Sequence, residues 1–158
     1  MNRISHPFPP VFDEESRILI LGSFPSVVSR QQQFYYANRN NRFWKVMSII
    51  FDEEITDRES FCHQHHIALW DVIASCVISG SSDSSIRDVV VNDINGLIRD
   101  SKIHTIYTTG KKAYYLFEKY ISCDLPVISL PSTSSANAAM HLEDLVLRYR
   151  VIVEETCR

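Results

Sequence analysis

The chain has 158 residues, of which 45% are hydrophobic and 22% charged, and its formal net charge is −3. This length suits one folded domain with its own core, which we expect to span residues 1–158. The sequence contains no apolar run long enough to cross a bilayer and no signal-peptide pattern at its start. We therefore expect a cytoplasmic protein that does not associate with a membrane.

Apolar patterns of two different periods alternate along the chain. In chain order they predict a strand at Arg17–Gly22, a helix at Arg42–Phe51, a strand at Ile67–Val72, a helix at Asn92–Ser101, a strand at Ile103–Gly110, a helix at Lys111–Tyr120, a strand at Pro126–Leu130 and a helix at Ala138–Val153. Alternation of strands and helices is typical of a parallel sheet covered on both faces. We predict an α/β fold with three αβα layers around a four-stranded parallel sheet.

Two of the predicted strands lead into segments of proline and small hydroxyl residues. These segments are GSFPSVVS after the first strand and LPSTSSANA after the fourth. Ligands of open α/β sheets bind beyond the carboxyl ends of the strands. One such segment alone is best interpreted as a tight turn with a helix cap. Two of them, with an aromatic and amide-rich stretch close after one, predict a pocket walled by backbone N–H groups and hydroxyls.

That stretch is YYANRNNRFW, residues 35–44, which places three asparagines and two arginines among four aromatic rings. Rings for stacking, amides for hydrogen bonds and arginines for phosphates together suit a nucleobase within a nucleic acid. A free nucleotide fits less well, because TTGKKA at 108–113 lacks the first glycine and the Ser or Thr of a phosphate-binding loop. We expect Tyr35, Phe43 and Trp44 to lie in the core, because they lead into an apolar helix.

One segment in the first third of the chain carries basic residues without acidic ones. Between residues 17 and 51 there is no acidic residue, and the basic ones are Arg17, Arg30, Arg39, Arg42 and Lys45. A locally basic surface is compatible with phosphate binding, although a solvated face is the simpler interpretation of the charge pattern alone.

The four cysteines are scattered and form no C-x-x-C pair, which indicates free thiols and disfavours a disulfide framework or an iron–sulfur cluster. The one candidate metal-binding pattern is HQHH, in which His63 and His66 would share a helix face. No cysteine or third histidine lies close enough to complete a site, and a hydrated helix end is the favoured interpretation. We predict no metal and no cofactor.

The segments GSFPS, YYANRNNRFW, LWDVIASC followed by GSSDSSI, and LPSTSSANA together resemble the uracil-DNA glycosylase superfamily, specifically its hypoxanthine-DNA glycosylase branch. The second segment is also similar to the mismatch-specific uracil glycosylases. The resemblance extends from about Arg17 to Arg150. It implies a monofunctional hydrolase that cleaves the N-glycosidic bond of a deaminated base flipped out of DNA, in base-excision repair. Hypoxanthine is the expected base, before uracil or xanthine.

The resemblance also implies roles for individual residues. Many relatives carry at the position of Phe24 an Asp or Asn that positions the attacking water, and in the hypoxanthine branch this duty falls on the residue that matches Asn41. The base is expected to contact Ser23, Phe24 and Tyr36, with Tyr36 stacking on it. Contacts with the DNA strand are expected from Arg39, Arg42, Ser132, Thr133, Ser134, Ser135 and Asn137.

Several alternatives remain open at the level of the sequence. Asn41 is as well explained as a helix cap, and Asp71 after the second strand is either catalytic or a turn residue. Asp83 is better interpreted as a turn former. A DNA-binding protein that has lost catalysis is compatible with phenylalanine at position 24. A serine hydrolase using Ser23 or Ser132 is disfavoured, because no G-x-S-x-G elbow is present. No obligate protein partner is inferred.

Overall fold

A four-stranded parallel sheet forms the centre of the protein, whose computed structural model describes residues 2–158. The strands are β1 Arg3–Ser5, β2 Ile18–Gly22, β3 Ile67–Asp71, β4 Ile73–Val77, β5 Arg87–Val91, β6 Thr105–Thr109 and β7 Val127–Leu130. The helices are α1 Val27–Gln32, α2 Phe43–Ile50, α3 Arg58–Gln64, α4 Ile94–Arg99, α5 Lys111–Tyr120, α6 Leu142–Tyr149 and α7 Val151–Thr156, with a short 3-10 turn at Asp83–Ser85.

The parallel sheet has the strand order β3-β2-β6-β7, so β2 and β6 are its central strands. All five residues of β2 are buried, as expected for an aliphatic strand covered on both faces. The register pairs Gly22 with Asp71 and Thr109 with Leu130. The carboxyl ends of all four strands therefore meet at one edge of the sheet, which is the edge where the sequence predicted a ligand site.

Alternate residues of β2 enter two separate cores. Ile18 and Ile20 lie in a core with Phe43 of α2 and Leu145 and Tyr149 of α6. On the other face, Leu19 and Leu21 pack in a core that also contains Leu97 of α4 and Leu116 and Phe117 of α5. Each fully buried aliphatic side chain stabilises such an arrangement by about 1.5–3 kcal/mol. The predicted αβα layering around a four-stranded parallel sheet is confirmed.

A second sheet, not predicted from the sequence, flanks the first. It is antiparallel, has the order β1-β4-β5, and pairs Arg3 with Val77 and Ile73 with Val91. Its edge strands contain no buried residue, and β1 has only three residues, so neither edge strand shows the pattern of a strand covered on both faces. β4 follows β3 after the single residue Val72, whose N–H donates to the Gly22 carbonyl at 2.9 Å.

The last predicted helix begins later than expected. Residues 138–141 are not helical, and the carbonyl oxygen of Met140 accepts a hydrogen bond from Arg42. The helix starts at Leu142 with the Asp144 carboxylate accepting from the His141 N–H at 3.0 Å, a capping arrangement. It is also interrupted at Arg150, which separates α6 from α7.

Helices α1 and α3 were not predicted. Within residues 2–158, no helix has both the length and the apolar character needed to cross a bilayer.

Candidate functional site

A cavity of about 340 Å³ opens at the carboxyl edge of the parallel sheet. Its walls come from the strand ends, the first loop (residues 22–26), the aromatic segment (residues 35–44), the turn near residue 83 and the second loop (residues 131–137). The lining residues are Gly22, Ser23, Phe24, Pro25, Ser26, Ser29, Tyr35, Tyr36, Asn38, Asn41, Asp71, Ser81, Asp83, Thr109, Ser132, Ser134, Ser135 and Ala136. The volume suits one small flat ligand rather than an extended chain.

The first loop follows β2 at the cavity wall and contains two backbone N–H groups without a partner among the described residues. Ser26 ends it by capping α1, with the Ser29 N–H donating to the Ser26 hydroxyl at 3.2 Å. Ser23 is held by two bonds: its hydroxyl donates to Asp83 Oδ1 at 3.0 Å, and its carbonyl accepts from the Ile73 N–H at 3.1 Å. The N–H groups of Ser23 and Phe24 have no hydrogen-bond partner among residues 2–158.

The aromatic segment divides its rings between the core and the cavity. Tyr35, Phe43 and Trp44 are buried, as predicted. Tyr36 lines the cavity and stacks on Phe43, with ring centroids 3.9 Å apart and planes 11° from parallel. Its hydroxyl forms a hydrogen bond with Thr109 Oγ1 at 3.2 Å, and burial raises the pKa of its phenol. One face of the Tyr36 ring is thus already occupied by Phe43.

Asn41 lines the cavity and caps the first N–H group of the following helix from the position before the N-cap residue, Arg42. Its Oδ1 accepts from the Phe43 N–H at 2.9 Å and from the Thr133 hydroxyl at 2.8 Å. A backbone N–H can only donate, so these bonds fix the orientation of the amide. Both lone pairs of Oδ1 are engaged, while the NH₂ group has no acceptor among residues 2–158. Asn41 is therefore a helix cap that carries an unpaired donor at the cavity.

The Arg42 guanidinium forms hydrogen bonds within the protein, and its predicted phosphate contact stays a prediction. Its guanidinium donates to the carbonyl oxygens of Ser134 at 2.9 Å, Asn137 at 3.1 Å and Thr133 at 3.4 Å, and also to that of Met140. These bonds take up the donors that a phosphate would need. Arg42 instead fastens the second loop to the start of α2.

Arg39, three residues before Arg42, has a different environment. Arg39 is exposed and makes no hydrogen bond or ion pair with residues 2–158. Its guanidinium therefore keeps all its donors, as a phosphate contact requires.

The second loop is shaped by bonds between its own residues. Ser132 Oγ accepts from the Ser134 N–H at 3.1 Å, and Ser134 Oγ accepts from the Ala136 N–H at 3.2 Å. The Asn137 amide donates to the Ser132 carbonyl at 3.0 Å. Ser132, Ser134 and Ser135 line the cavity, and their predicted contacts with DNA stay predictions.

Thr133 and Asn137 form hydrogen bonds within the protein. Thr133 is 1% exposed and its hydroxyl donates to Asn41 Oδ1, so its side chain is engaged inside the protein, and its predicted contact with DNA stays a prediction. The Asn137 NH₂ group donates within the loop, and Asn137 does not line the cavity. Both residues shape the loop from inside.

Asp71 lies at the base of the cavity, at the end of β3. It is 4% exposed, and its Oδ2 lies 2.7 Å from His6 Nε2. Gly22, its partner in the sheet, is required here, because a Cβ at that position would collide with Asp71 Oδ1. The contact joins residues 65 positions apart, so nothing in the sequence pointed to His6.

Asp83 forms the predicted turn and also lines the cavity. The Ile86 N–H donates to its carbonyl, as in a turn, and its carboxylate accepts from Ser23 at the cavity wall. Burial raises the pKa of its carboxyl, while the Ser23 bond and the charge of Lys112 act in the opposite direction.

The histidines of the HQHH segment lie away from the cavity. His63 Nδ1 lies 3.0 Å from Asp13 Oδ2, and His66 takes a left-handed backbone conformation after α3. Among residues 2–158, no three His, Cys, Asp or Glu side chains are grouped so that they could hold a metal ion.

Comparison with known proteins gives consistent matches over most of the chain. A family model described as the uracil DNA glycosylase superfamily matches residues 9–150. A hypoxanthine DNA glycosylase of Methanosarcina acetivorans is 37% identical over 142 residues, which cover 85% of this chain and 89% of the relative. One from Methanosarcina barkeri is 33% identical over 113 residues, or 67% of this chain and 71% of the relative.

A solved structure agrees with the fold. A solution NMR structure of a Methanosarcina acetivorans protein, assigned in its description to the uracil DNA glycosylases, superposes with a TM-score of 0.74 at 32% identity. The match covers 92% of this chain and 96% of that chain.

Proposed function

The chain belongs to the uracil DNA glycosylase superfamily, and we propose that it removes hypoxanthine from DNA by hydrolysing the N-glycosidic bond. The superfamily, the αβα fold and the DNA glycosylase class expected from the sequence are confirmed by the relatives. The lesion and the roles of individual residues are the proposal. Its cytoplasmic location, its single domain and its independence of a protein partner stay predictions.

One observation carries the proposal: a cavity sized for a base, at the strand ends, presents neutral donors beside an aromatic ring. Glycosidic cleavage leaves the electron pair of the broken bond on the departing base. Donors that lie ready at the base strengthen as this charge grows, and such differential binding lowers the barrier. The unpaired Asn41 NH₂ and the free N–H groups of Ser23 and Phe24 are donors of this kind.

The Asn41 amide is better placed to contact the base than to hold water. Holding a water for attack needs an acceptor, and Asn41 Oδ1 already accepts from Phe43 and Thr133. The NH₂ group is the half of the amide that remains. We therefore assign Asn41 to the leaving base, as a donor to one of its ring nitrogens or to its carbonyl oxygen.

Aromatic stacking would hold the flipped base against Tyr36. Because Phe43 lies on the far side of Tyr36, a base on the cavity side would extend a stack that is already formed. Base–aromatic stacking is typically worth about 1–3 kcal/mol. The Tyr36 ring is fixed by its bond to Thr109, so little side-chain entropy is lost when the base arrives.

The DNA strand would cross the cavity rim. Ser132, Ser134 and Ser135 line the cavity, and Arg39 of the aromatic segment is exposed with its guanidinium donors free. Hydroxyls and an arginine at such a rim suit phosphate oxygens, which position a duplex without reading its sequence.

A panel of duplexes tests the proposal. Each duplex carries one deoxyinosine, deoxyuridine or deoxyxanthosine, and alkali after incubation cleaves the strand wherever a base has been removed. We expect cleavage at deoxyinosine in the presence of a chelator. Tight binding without cleavage would favour a DNA-binding protein that has lost catalysis, and activity only on esters would favour a serine hydrolase.

A further inference from the structure

Hydrolysis needs an acceptor for the attacking water, and the cavity contains few candidates. Phe24 offers none, and both lone pairs of Asn41 Oδ1 are already engaged. The serine hydroxyls are neutral and weakly basic. The ionisable acceptors that line the cavity are two carboxylates, Asp71 and Asp83.

The two carboxylates differ in how firmly they are held. Asp83 belongs to an exposed 3-10 turn and accepts from the Ser23 hydroxyl. Asp71 is 4% exposed and ends the buried strand β3, directly beside Gly22. A group that must orient water is most effective on a rigid element, which favours Asp71.

The hydrogen bonds of His6 define the protonation of the Asp71 pair. His6 Nδ1 lies 2.8 Å from the Phe8 carbonyl oxygen, which can only accept, so Nδ1 carries a proton. His6 Nε2 lies 2.7 Å from Asp71 Oδ2. A second proton must lie between Nε2 and Oδ2, and the proposed role of Asp71 as a carboxylate places that proton on Nε2. The resulting positive charge of His6 compensates the buried carboxylate, and Asp71 Oδ1 forms no hydrogen bond with residues 2–158.

The N-terminal segment fixes the imidazole in place. The His6 N–H donates to the Ala74 carbonyl at 2.8 Å, which continues the pairing of β1 with β4. The His6 ring packs edge-on against Phe8 at 4.6 Å and Phe24 at 6.0 Å between centroids. The aromatic neighbours leave the ring little freedom, so His6 determines where the Asp71 carboxylate points.

We propose that Asp71 is the catalytic residue that orients the attacking water and accepts its proton, and that His6 is the positioning residue that holds Asp71. The inference rests on the proposed glycosylase function. The bond from C1′ of the sugar to the base nitrogen breaks with its electron pair leaving on the base. The water oxygen bonds to C1′, its proton passes to Asp71, and the departing base takes a proton from solvent.

Four variants test the proposal on duplex DNA with one deoxyinosine: Asp71→Asn, His6→Phe, His6→Gln and the Asp71→Asn/His6→Phe double variant. Phenylalanine keeps the ring but removes the donor, whereas glutamine keeps a donor close to the position of Nε2. Single-turnover excision, affinity for the same duplex and thermal melting are measured for each.

Asp71→Asn should lose about 10²–10⁴-fold in rate, as expected for removal of a catalytic base, with little change in DNA affinity. His6→Phe should lose rate in the same way, and His6→Gln should recover most of it. The double variant should be no slower than Asp71→Asn, because His6 acts through Asp71.

A spectroscopic signature keeps the proposal testable if His6→Phe fails to fold. Nitrogen NMR of the intact protein at neutral pH should show both His6 ring nitrogens protonated. Asp71→Asn should change that state. A neutral His6 ring, Asp71→Asn excision at the wild-type rate, or losses that add in the double variant would each overturn the proposal. If the wild-type protein excised none of the three lesions, the proposed function itself would fall.

Discussion

At the scale of single residues, Asn41 combines a structural bond with a functional donor, and the two can be separated. Asn41→Ala removes both, so it should lower stability by about 0.5–2 kcal/mol through the lost cap and also slow excision. Asn41→Asp keeps a capping oxygen at the start of α2 but loses the NH₂ group. We expect Asn41→Asp to melt like the wild type and yet excise hypoxanthine at least 10²-fold more slowly.

The two Asn41 variants serve as controls for each other in single-turnover assays beside melting curves. Equal wild-type rates for both would mean that the amide is only a cap. A slow Asn41→Ala with a fast Asn41→Asp would show that the rate depends on the shape of the helix start rather than on a donor to the base.

At the scale of elements, the start of α2 joins three parts of the site, and Trp44 anchors it. Trp44 is 6% exposed, and its Nε1 donates to the Tyr35 carbonyl at 3.0 Å. Trp44→Ala should therefore destabilise the protein by about 3–5 kcal/mol, measured by denaturant unfolding. Trp44→Phe, which keeps most of the ring volume, should cost much less. Equal small losses for both would show that the indole is not packed as described.

Arg39 and Arg42 are three residues apart and should behave oppositely. Arg39→Ala should flatten the salt dependence of DNA affinity by about 0.9 in logarithmic slope, one phosphate contact, without lowering the melting temperature. Arg42→Ala should lower the melting temperature, because three carbonyl oxygens of the second loop and that of Met140 lose their donor. The control is to measure the salt dependence of DNA affinity at a temperature where Arg42→Ala is still folded. A flattened slope for Arg42→Ala there would contradict its assignment as a residue that holds the second loop.

At the scale of the whole molecule, the central sheet was predictable because β2 and β3 carry mainly apolar runs, and because a glycine marks the end of both β2 and β6. The flanking β1-β4-β5 sheet was not, because short, half-exposed strands have no distinctive period. The approximate place of the cavity followed from the strand-end loops.

The individual contacts at the cavity did not follow from the sequence. Arg42 and Thr133 looked like DNA contacts by residue type, and only the fold shows that they bond inward. His6 joins Asp71 across 65 positions, a pairing that no local pattern encodes. The residue types thus indicated which segments form the cavity, whereas the hydrogen-bond partners of each side chain required the three-dimensional structure.

The central claim is that this cavity releases an intact base from DNA by hydrolysis. The direct measurement is the amount of free hypoxanthine, by mass spectrometry, after the protein acts on a deoxyinosine duplex in the presence of a chelator, with Asn41→Asp run in parallel. We predict one hypoxanthine per abasic site with the wild-type protein and almost none with Asn41→Asp. Tight binding of the duplex with no free hypoxanthine from the wild type, or equal release by both proteins, would contradict the account.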